Sequence, residues 1–100
     1  MKNEPSSIEA RMRARGDRPV LTLRYDKGDA ILRYAVGASG TSPCLYSIYA
    51  EYISEEKSTS EVIPAFSKER DTAENFCAML AHFLATPLSL HALYEDSLTP

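Results

Sequence analysis

Residues 44–53, CLYSIYAEYI, form the most β-like stretch of the chain and decide its fold class. Aromatic and β-branched residues are common in it, and its side chains alternate between two faces of a predicted strand. One face carries Tyr46, Ile48, Ala50 and Tyr52, and the other carries Ser47, Tyr49 and Glu51. This alternation is typical of an antiparallel strand that has one face in the core and the other in solvent.

Two more strands are predicted before this stretch. Residues 20–25 alternate around Leu21, Leu23 and Tyr25, and residues 30–36 alternate around Leu32, Tyr34 and Val36. The intervening DKGD, residues 26–29, predicts a tight hairpin turn because a glycine stands among aspartates between two β-like runs. GASGTSP, residues 37–43, predicts the loop that leads into residues 44–53.

A fourth strand and two helices are predicted after it. Residues 61–66 form a short strand, and Pro64 indicates an edge or a bulge because proline has no N–H to donate. Residues 71–85 form an amphipathic helix, since apolar side chains recur at helical spacing. Its apolar stripe consists of Ala73, Phe76, Cys77, Leu80, Phe83 and Leu84. Thr86-Pro87 ends this helix and begins a second one, whose inner face carries Leu90, Leu93, Tyr94 and Leu98.

These elements predict an α+β fold, a four-stranded antiparallel meander sheet packed by two C-terminal helices in the order β-β-β-β-α-α. The chain has 100 residues, of which 44% are hydrophobic and 25% charged, and this suits one domain with one core. We assign that domain to residues 19–98. Residues 1–18 are predicted to form a flexible basic arm, in which Ser7 could cap a short helix supported only by Ile8 and Met12.

Charge and hydropathy limit the classes of protein. The formal net charge of −3 hides a gradient, because residues 1–24 carry a net +3 and the other 76 residues carry a net −6. The chain contains neither the apolar core of about 7–15 residues that a signal peptide needs nor about 20 consecutive apolar residues for a membrane span. We therefore predict a cytoplasmic protein without a membrane partner, in which Cys44 and Cys77 are free thiols rather than a bridge.

Metal ligands are present in type but not in spacing. Cys44, Cys77, His82 and His91 carry suitable atoms. Cys77 and His82 are separated by about 140° around a helix, so they do not face a common point. Glycines 37 and 40 are not followed by the Lys-Ser/Thr pair of a phosphate-binding loop. We predict no metal-binding and no cofactor-binding residues.

Nucleophilic catalysis also lacks a suitable pattern. Ser89 and His91 are two residues apart on a predicted helix and point in different directions, and no GxSxG motif is present. His91 and Glu95 are four residues apart and are interpreted as a surface pair. We predict no catalytic residues and no enzymatic activity.

The candidate interaction residues are two tyrosines and four arginines. Tyr25 and Tyr49 become exposed if they lie on the solvent side of the sheet, where tyrosines are frequent interface residues. Arg11, Arg13, Arg15 and Arg18 could neutralise phosphate groups, but the acidic body of the chain disfavours nucleic acid as a partner. The edge strands offer unpaired backbone groups to a partner strand.

Several short segments resemble those of a known family. They are YAVG at residues 34–37, IPAFS at 63–67, the Phe76-Cys77 pair, PLSLH at 87–91 and YEDSL at 94–98. Over about residues 30–98 the chain resembles a family of small uncharacterised proteins of clostridia-type bacteria, a domain of unknown function. The resemblance implies a bacterial protein, and it implies no particular activity.

The leading hypothesis is a non-enzymatic cytoplasmic module for protein interaction or regulation. Its partner is an unidentified protein or a second copy, joined through the sheet face or edge. One alternative is a small ligand-binding or hydrolase-like protein that uses His91 and Glu95. Another is a nucleic-acid-binding protein that uses the arginine-rich arm.

Overall fold

A single antiparallel sheet organises the described part of the chain. The computed structural model describes residues 7–98, with the side chains of Leu88 and of residues 96–98 left outside the description. The elements are α1 (Ile8–Arg15), β1 (Arg18–Lys27), β2 (Ala30–Ala38), β3 (Tyr46–Ile53), β4 (Ser58–Ser67), α2 (Arg70–His82) and α3 (Pro87–Leu98). The strand order is β1-β2-β3-β4. The predicted α+β fold, with four antiparallel strands followed by two helices, is confirmed.

The larger core lies between one face of the sheet and helices α2 and α3. The strands contribute Leu32, Tyr34, Val36, Ile48, Ala50 and Ile63, and the helices contribute Ala73, Phe76, Cys77, Leu80 and Leu90. Successive strand residues point to opposite faces, so this set is one half of each strand's alternation. The hydroxyl group of Tyr34 also donates a 2.6 Å hydrogen bond to the backbone oxygen of Ala85, which ties the end of the α2 segment to the sheet.

Helix α2 ends at His82, three residues before its predicted end. Leu84 has a φ of 51°, and the N–H of Ala85 donates to the carbonyl oxygen of Leu80 at 3.0 Å. Such a left-handed residue after the last turn closes many helices. Phe83 therefore leaves the apolar stripe to which its spacing assigned it and is 66% exposed.

Strand β4 contains a bulge opposite Ser47. The register with β3 shifts between Tyr46 and Ile48, and the N–H of Ala65 donates to the side-chain oxygen of Ser47 at 3.1 Å. Pro64 lies in this bulge, and β4 is also an edge strand. The prediction that Pro64 marks an edge or a bulge is therefore confirmed.

Ala65→Gly is expected to raise the free energy of unfolding by about 0.5–1 kcal/mol. Ala65 has a φ of 51°, where a β-carbon is strained, and its side chain is exposed. Urea denaturation of the variant and the wild type measures the gain. Ala78→Gly, at an exposed position inside α2, should lower the stability by about 1 kcal/mol. A loss of stability in both variants would contradict the strain at residue 65.

Helix α1 occupies eight of the 18 residues that were predicted to form a flexible arm. Ser7 accepts a 3.1 Å hydrogen bond from the N–H of Ala10 at the start of the helix, and Gly16 ends it with a φ of 79°. Residues 8–15 of the predicted arm are helical, whereas residues 1–6 lie outside the described part of the chain. The predicted cap at Ser7 is present.

Because α1 packs on the second face of the sheet, the fold has three layers. Ile8 and Met12 are buried there against Ala35, Tyr49 and Val62. Sequence alternation predicted that this face is solvated. It is instead covered, and Ser47, Tyr49 and Glu51 are all buried.

Candidate functional site

Five of the six predicted interaction residues lie around α1 and the strands beneath it. Arg11, Arg13 and Arg15 are in α1, and Arg18 begins β1. Tyr49 lies below α1 in the small core. Tyr25 lies near the other end of β1. Its ring packs 6.3 Å from the ring of Tyr34, on the sheet face that α2 covers. The structure thus joins the arginines with Tyr49 and separates Tyr25 from them.

Tyr49 is a structural residue rather than a surface one. Its side chain is fully buried, and its hydroxyl group donates a 2.5 Å hydrogen bond to Asp17. Burial, followed by the hydrogen bond to Asp17, raises the pKa of Tyr49. A β-carbon at Gly37 would lie 3.0 Å from the Tyr49 ring, so any larger residue at position 37 would press on the ring. The hypothesis of an exposed Tyr49 is therefore wrong, because α1 covers the ring.

The four arginines of the predicted arm divide into two pairs. Arg11 donates a 2.6 Å hydrogen bond to the hydroxyl group of Ser60, and the Nε atom of Arg15 lies 3.5 Å from Asp17. Both contacts hold α1 to its surroundings. Within the described residues, Arg13 and Arg18 are exposed, and neither guanidinium group forms a hydrogen bond or a salt bridge.

A charge network that includes a buried glutamate connects α1 to the middle of the sheet. The guanidinium group of Arg33 donates to Glu51 at 2.8 Å and to both carboxylate oxygens of Glu9, one of them at 3.1 Å. The Glu51 side chain is only 1% exposed. Burial raises the pKa of Glu51, whereas the hydrogen bond from Arg33 lowers the pKa of Glu9.

This network was not predicted from the sequence. Arg33 and Glu51 are directly opposite each other in the β2–β3 register, and opposite charges in such cross-strand positions stabilise a sheet. That register was the signal that could have revealed the pair. Glu9 could not be found in the same way, because its contact with Arg33 depends on where α1 docks.

The cysteines and histidines do not assemble into a reactive site. Cys44 and Cys77 are free thiols, and burial raises the pKa of Cys77 to about 12. His82 and His91 are exposed, and the Nε2 atom of His91 lies 3.6 Å from Glu61. Among the side chains that the structure describes, no three from His, Cys, Asp or Glu are grouped closely enough to hold a metal ion.

The hydrolase-like alternative receives no geometric support from His91. Neither histidine lines any of the four best-formed clefts among the described residues. Ser89 lies with its hydroxyl group 3.3 Å from that of Thr86, as expected of a side chain in the first turn of α3.

Comparisons with known proteins identify no relative of this chain. No protein-family model, curated protein or solved structure matches the chain. The resemblance to a clostridial family accordingly stays a prediction. Among the described residues, none of the helices combines the length and the apolar character that crossing a bilayer requires.

Proposed function

We propose that the protein is a non-enzymatic association module that pairs with a second copy of itself through the edge of β1. The open edge of β1 carries this proposal. The non-enzymatic part of the proposal is supported by the buried or nearly buried ionisable side chains on the α1 face. Arg33 bonds to Glu51 and Tyr49 bonds to Asp17, so these groups have a structural role. We also assign the protein to the cytoplasm, since it has two free thiols and free thiols persist in reducing compartments.

The two edges of the sheet differ in how well they are protected. β4 carries Pro64 and a bulge, and α3 packs beside it, with the Tyr94 ring 5.5 Å from that of Phe66. β1 is ten residues long and, among the described residues, pairs on one side only, with β2. It has a bulge near Pro19, but the run from Leu21 to Lys27 is regular and extended. A long unprotected edge presents unpaired N–H and C=O groups to another strand.

The regular part of β1 is self-complementary under a twofold axis. If two β1 strands pair antiparallel around Leu23, then Leu23 of one copy lies opposite Leu23 of the other. Leu21 then lies opposite Tyr25, and all of these side chains lie on the face shared with α2. Tyr25 is 39% exposed in the single chain, so the pairing would cover apolar surface. Such an isologous contact closes after two copies and creates an eight-stranded sheet.

Sedimentation equilibrium is expected to show a dimer whose dissociation constant lies in the micromolar range. Tyr25→Lys should raise that constant about tenfold or more, because the twofold axis removes the Leu21–Tyr25 contact twice. Phe83→Ser is the matched control, since Phe83 is also an exposed apolar residue but lies at the end of α2. A wild-type monomer at millimolar concentration, or equal effects of the two variants, would refute the proposal.

Disulfide trapping tests the register of the same contact. In a Cys44→Ser background, Leu23→Cys should form a disulfide-linked dimer on mild oxidation, because cross-strand Cα atoms lie about 4.5–5.5 Å apart. Tyr25→Cys is the control, since the two Tyr25 positions are offset by four residues and should remain reduced. Efficient trapping through residue 25 rather than residue 23 would contradict the register.

Nucleic-acid binding is the weaker candidate. Two of the four arginines on which it depends, Arg11 and Arg15, already contact groups of the same chain. The remaining pair, Arg13 and Arg18, is small for a surface that relies on phosphate contacts.

A further inference from the structure

A cleft of about 430 Å³ lies between α1 and the start of β1. Its apolar lining comes from Ile8, Met12 and Pro19, of which Ile8 and Met12 are buried. The volume is within the range of about 300–1,000 Å³ that holds small organic molecules. The volume and the apolar residues of the lining fit a small apolar group.

The charges around the cleft are unequally compensated. Glu9 and Asp17 line it, but Glu9 is bonded to Arg33. Asp17, whose side chain is only 3% exposed, accepts the hydrogen bond of Tyr49 and lies beside Arg15.

Two cations at the cleft are compensated less completely. Arg13 and Arg18 also line it, and within the described residues neither guanidinium group forms a hydrogen bond or a salt bridge. The charge of Arg13 contributes only weakly to the lowered pKa of Glu9. Each presents a planar set of donors that suits a carboxylate or a phosphate. The cleft therefore combines an apolar wall with positive charge that no salt bridge within the described residues neutralises.

We propose that this cleft binds a small amphipathic organic anion, with its apolar body against Ile8, Met12 and Pro19 and its head group on Arg13 and Arg18. Thr22, which also lines the cleft, places a hydroxyl group among the polar contacts. The site does not depend on self-association, because its lining residues all belong to one copy.

The probes are hexanoate, phenyl phosphate and the neutral 1-hexanol, each titrated into the ¹⁵N-labelled full chain. Hexanoate or phenyl phosphate should cause saturable amide shifts in α1 and at the start of β1, with a dissociation constant below about 10 mM. Hexanol should bind at least tenfold more weakly, because it offers nothing to the guanidinium groups. Binding of one anion but not the other would identify the preferred head group within the proposed class.

Arg13→Gln/Arg18→Gln should weaken binding of the anion at least tenfold and leave the fold intact, as both side chains are exposed. Arg24→Gln is the matched control. Arg24 lies in β1, as Arg18 does, but it is paired with Asp26 and does not line the cleft. Equal affinities for hexanoate and hexanol, shifts elsewhere in the chain, or equal losses in the two variants would overturn the site. Tight binding of an RNA oligonucleotide with no saturable binding of either small anion would also overturn it.

Discussion

Arg33→Met is expected to lower the free energy of unfolding by about 3 kcal/mol or more at neutral pH. Arg33 is the cation that bonds to Glu51 at 2.8 Å, and Glu51 has almost no contact with water. Removing one member of a buried ion pair leaves the other charge without compensation, which costs more than the intact pair contributes. Glu9 loses the same partner, but its side chain is 57% exposed and can be hydrated instead.

The loss should shrink when the pH is lowered. Burial already raises the folded-state pKa of Glu51 above its ordinary value of 4.5, and removing Arg33 raises that pKa further. A carboxyl group whose pKa is higher in the folded state than in the unfolded state lowers the stability as the pH rises through these two pKa values. The stability is regained when the group is protonated at lower pH. Glu9 acts in the same direction, because its lowered pKa in the wild type provides stability that is lost as the pH falls.

Urea denaturation at pH 7 and near pH 4.5 measures both effects. Arg70→Met is the control, because Arg70 forms an exposed pair with Glu74 on the surface of α2 and should leave the stability nearly unchanged. Adding Glu51→Gln to Arg33→Met should recover part of the loss, since no buried charge then remains. A loss that is independent of pH, or the same for Arg33 and Arg70, would contradict the role of the network.

Tyr49→Ala is expected to cost about 4 kcal/mol, and Tyr49→Phe about 2 kcal/mol. The alanine variant removes the ring on which Ile8 and Met12 pack and leaves a cavity under α1. The phenylalanine variant keeps the ring and removes only the hydroxyl group that donates to Asp17. The Asp17 carboxylate is nearly buried, and it would lose the hydrogen bond that it accepts from Tyr49. Hydrogen bonds to a charged acceptor are stronger than those between neutral groups.

Hydrogen exchange distinguishes the two contributions. Tyr49→Ala should remove the protection of the α1 amides before the sheet unfolds globally, whereas Tyr49→Phe should only reduce it. Tyr25→Ala is the control, because it truncates a partly exposed tyrosine of the same sheet and should leave α1 protected. If α1 loses its protection equally in the Tyr25 and Tyr49 variants, the specific support from Tyr49 is wrong.

The sheet and its main helix were predictable because their signals are local. Alternation within residues 44–53 and the helical spacing of Ala73, Phe76, Cys77 and Leu80 describe one buried face each, and all four of these helix residues are buried. Phe83 continues that spacing but is exposed, because the left-handed conformation of Leu84 ends the helical turn. A spacing argument has no means of detecting such a residue.

The second face was not predictable in the same way, since α1 has only two large apolar residues, Ile8 and Met12. Its position depends on contacts between residues far apart in sequence, such as Glu9 with Arg33 and Asp17 with Tyr49. Glu51 is charged and was therefore assigned to solvent. The burial of Glu51 results from the docking of α1 and from the β2–β3 register that places it opposite Arg33.

The order of elements also has a consequence for synthesis on the ribosome. Each strand pairs with its neighbour in sequence, so hairpins can form while the chain is still emerging. The residues that cover the larger apolar face, in α2 and α3, follow all four strands. The larger apolar face of a nascent sheet therefore stays uncovered until residues 70–98 have been synthesised. Helix α1 emerges first, but it can cover only the other face.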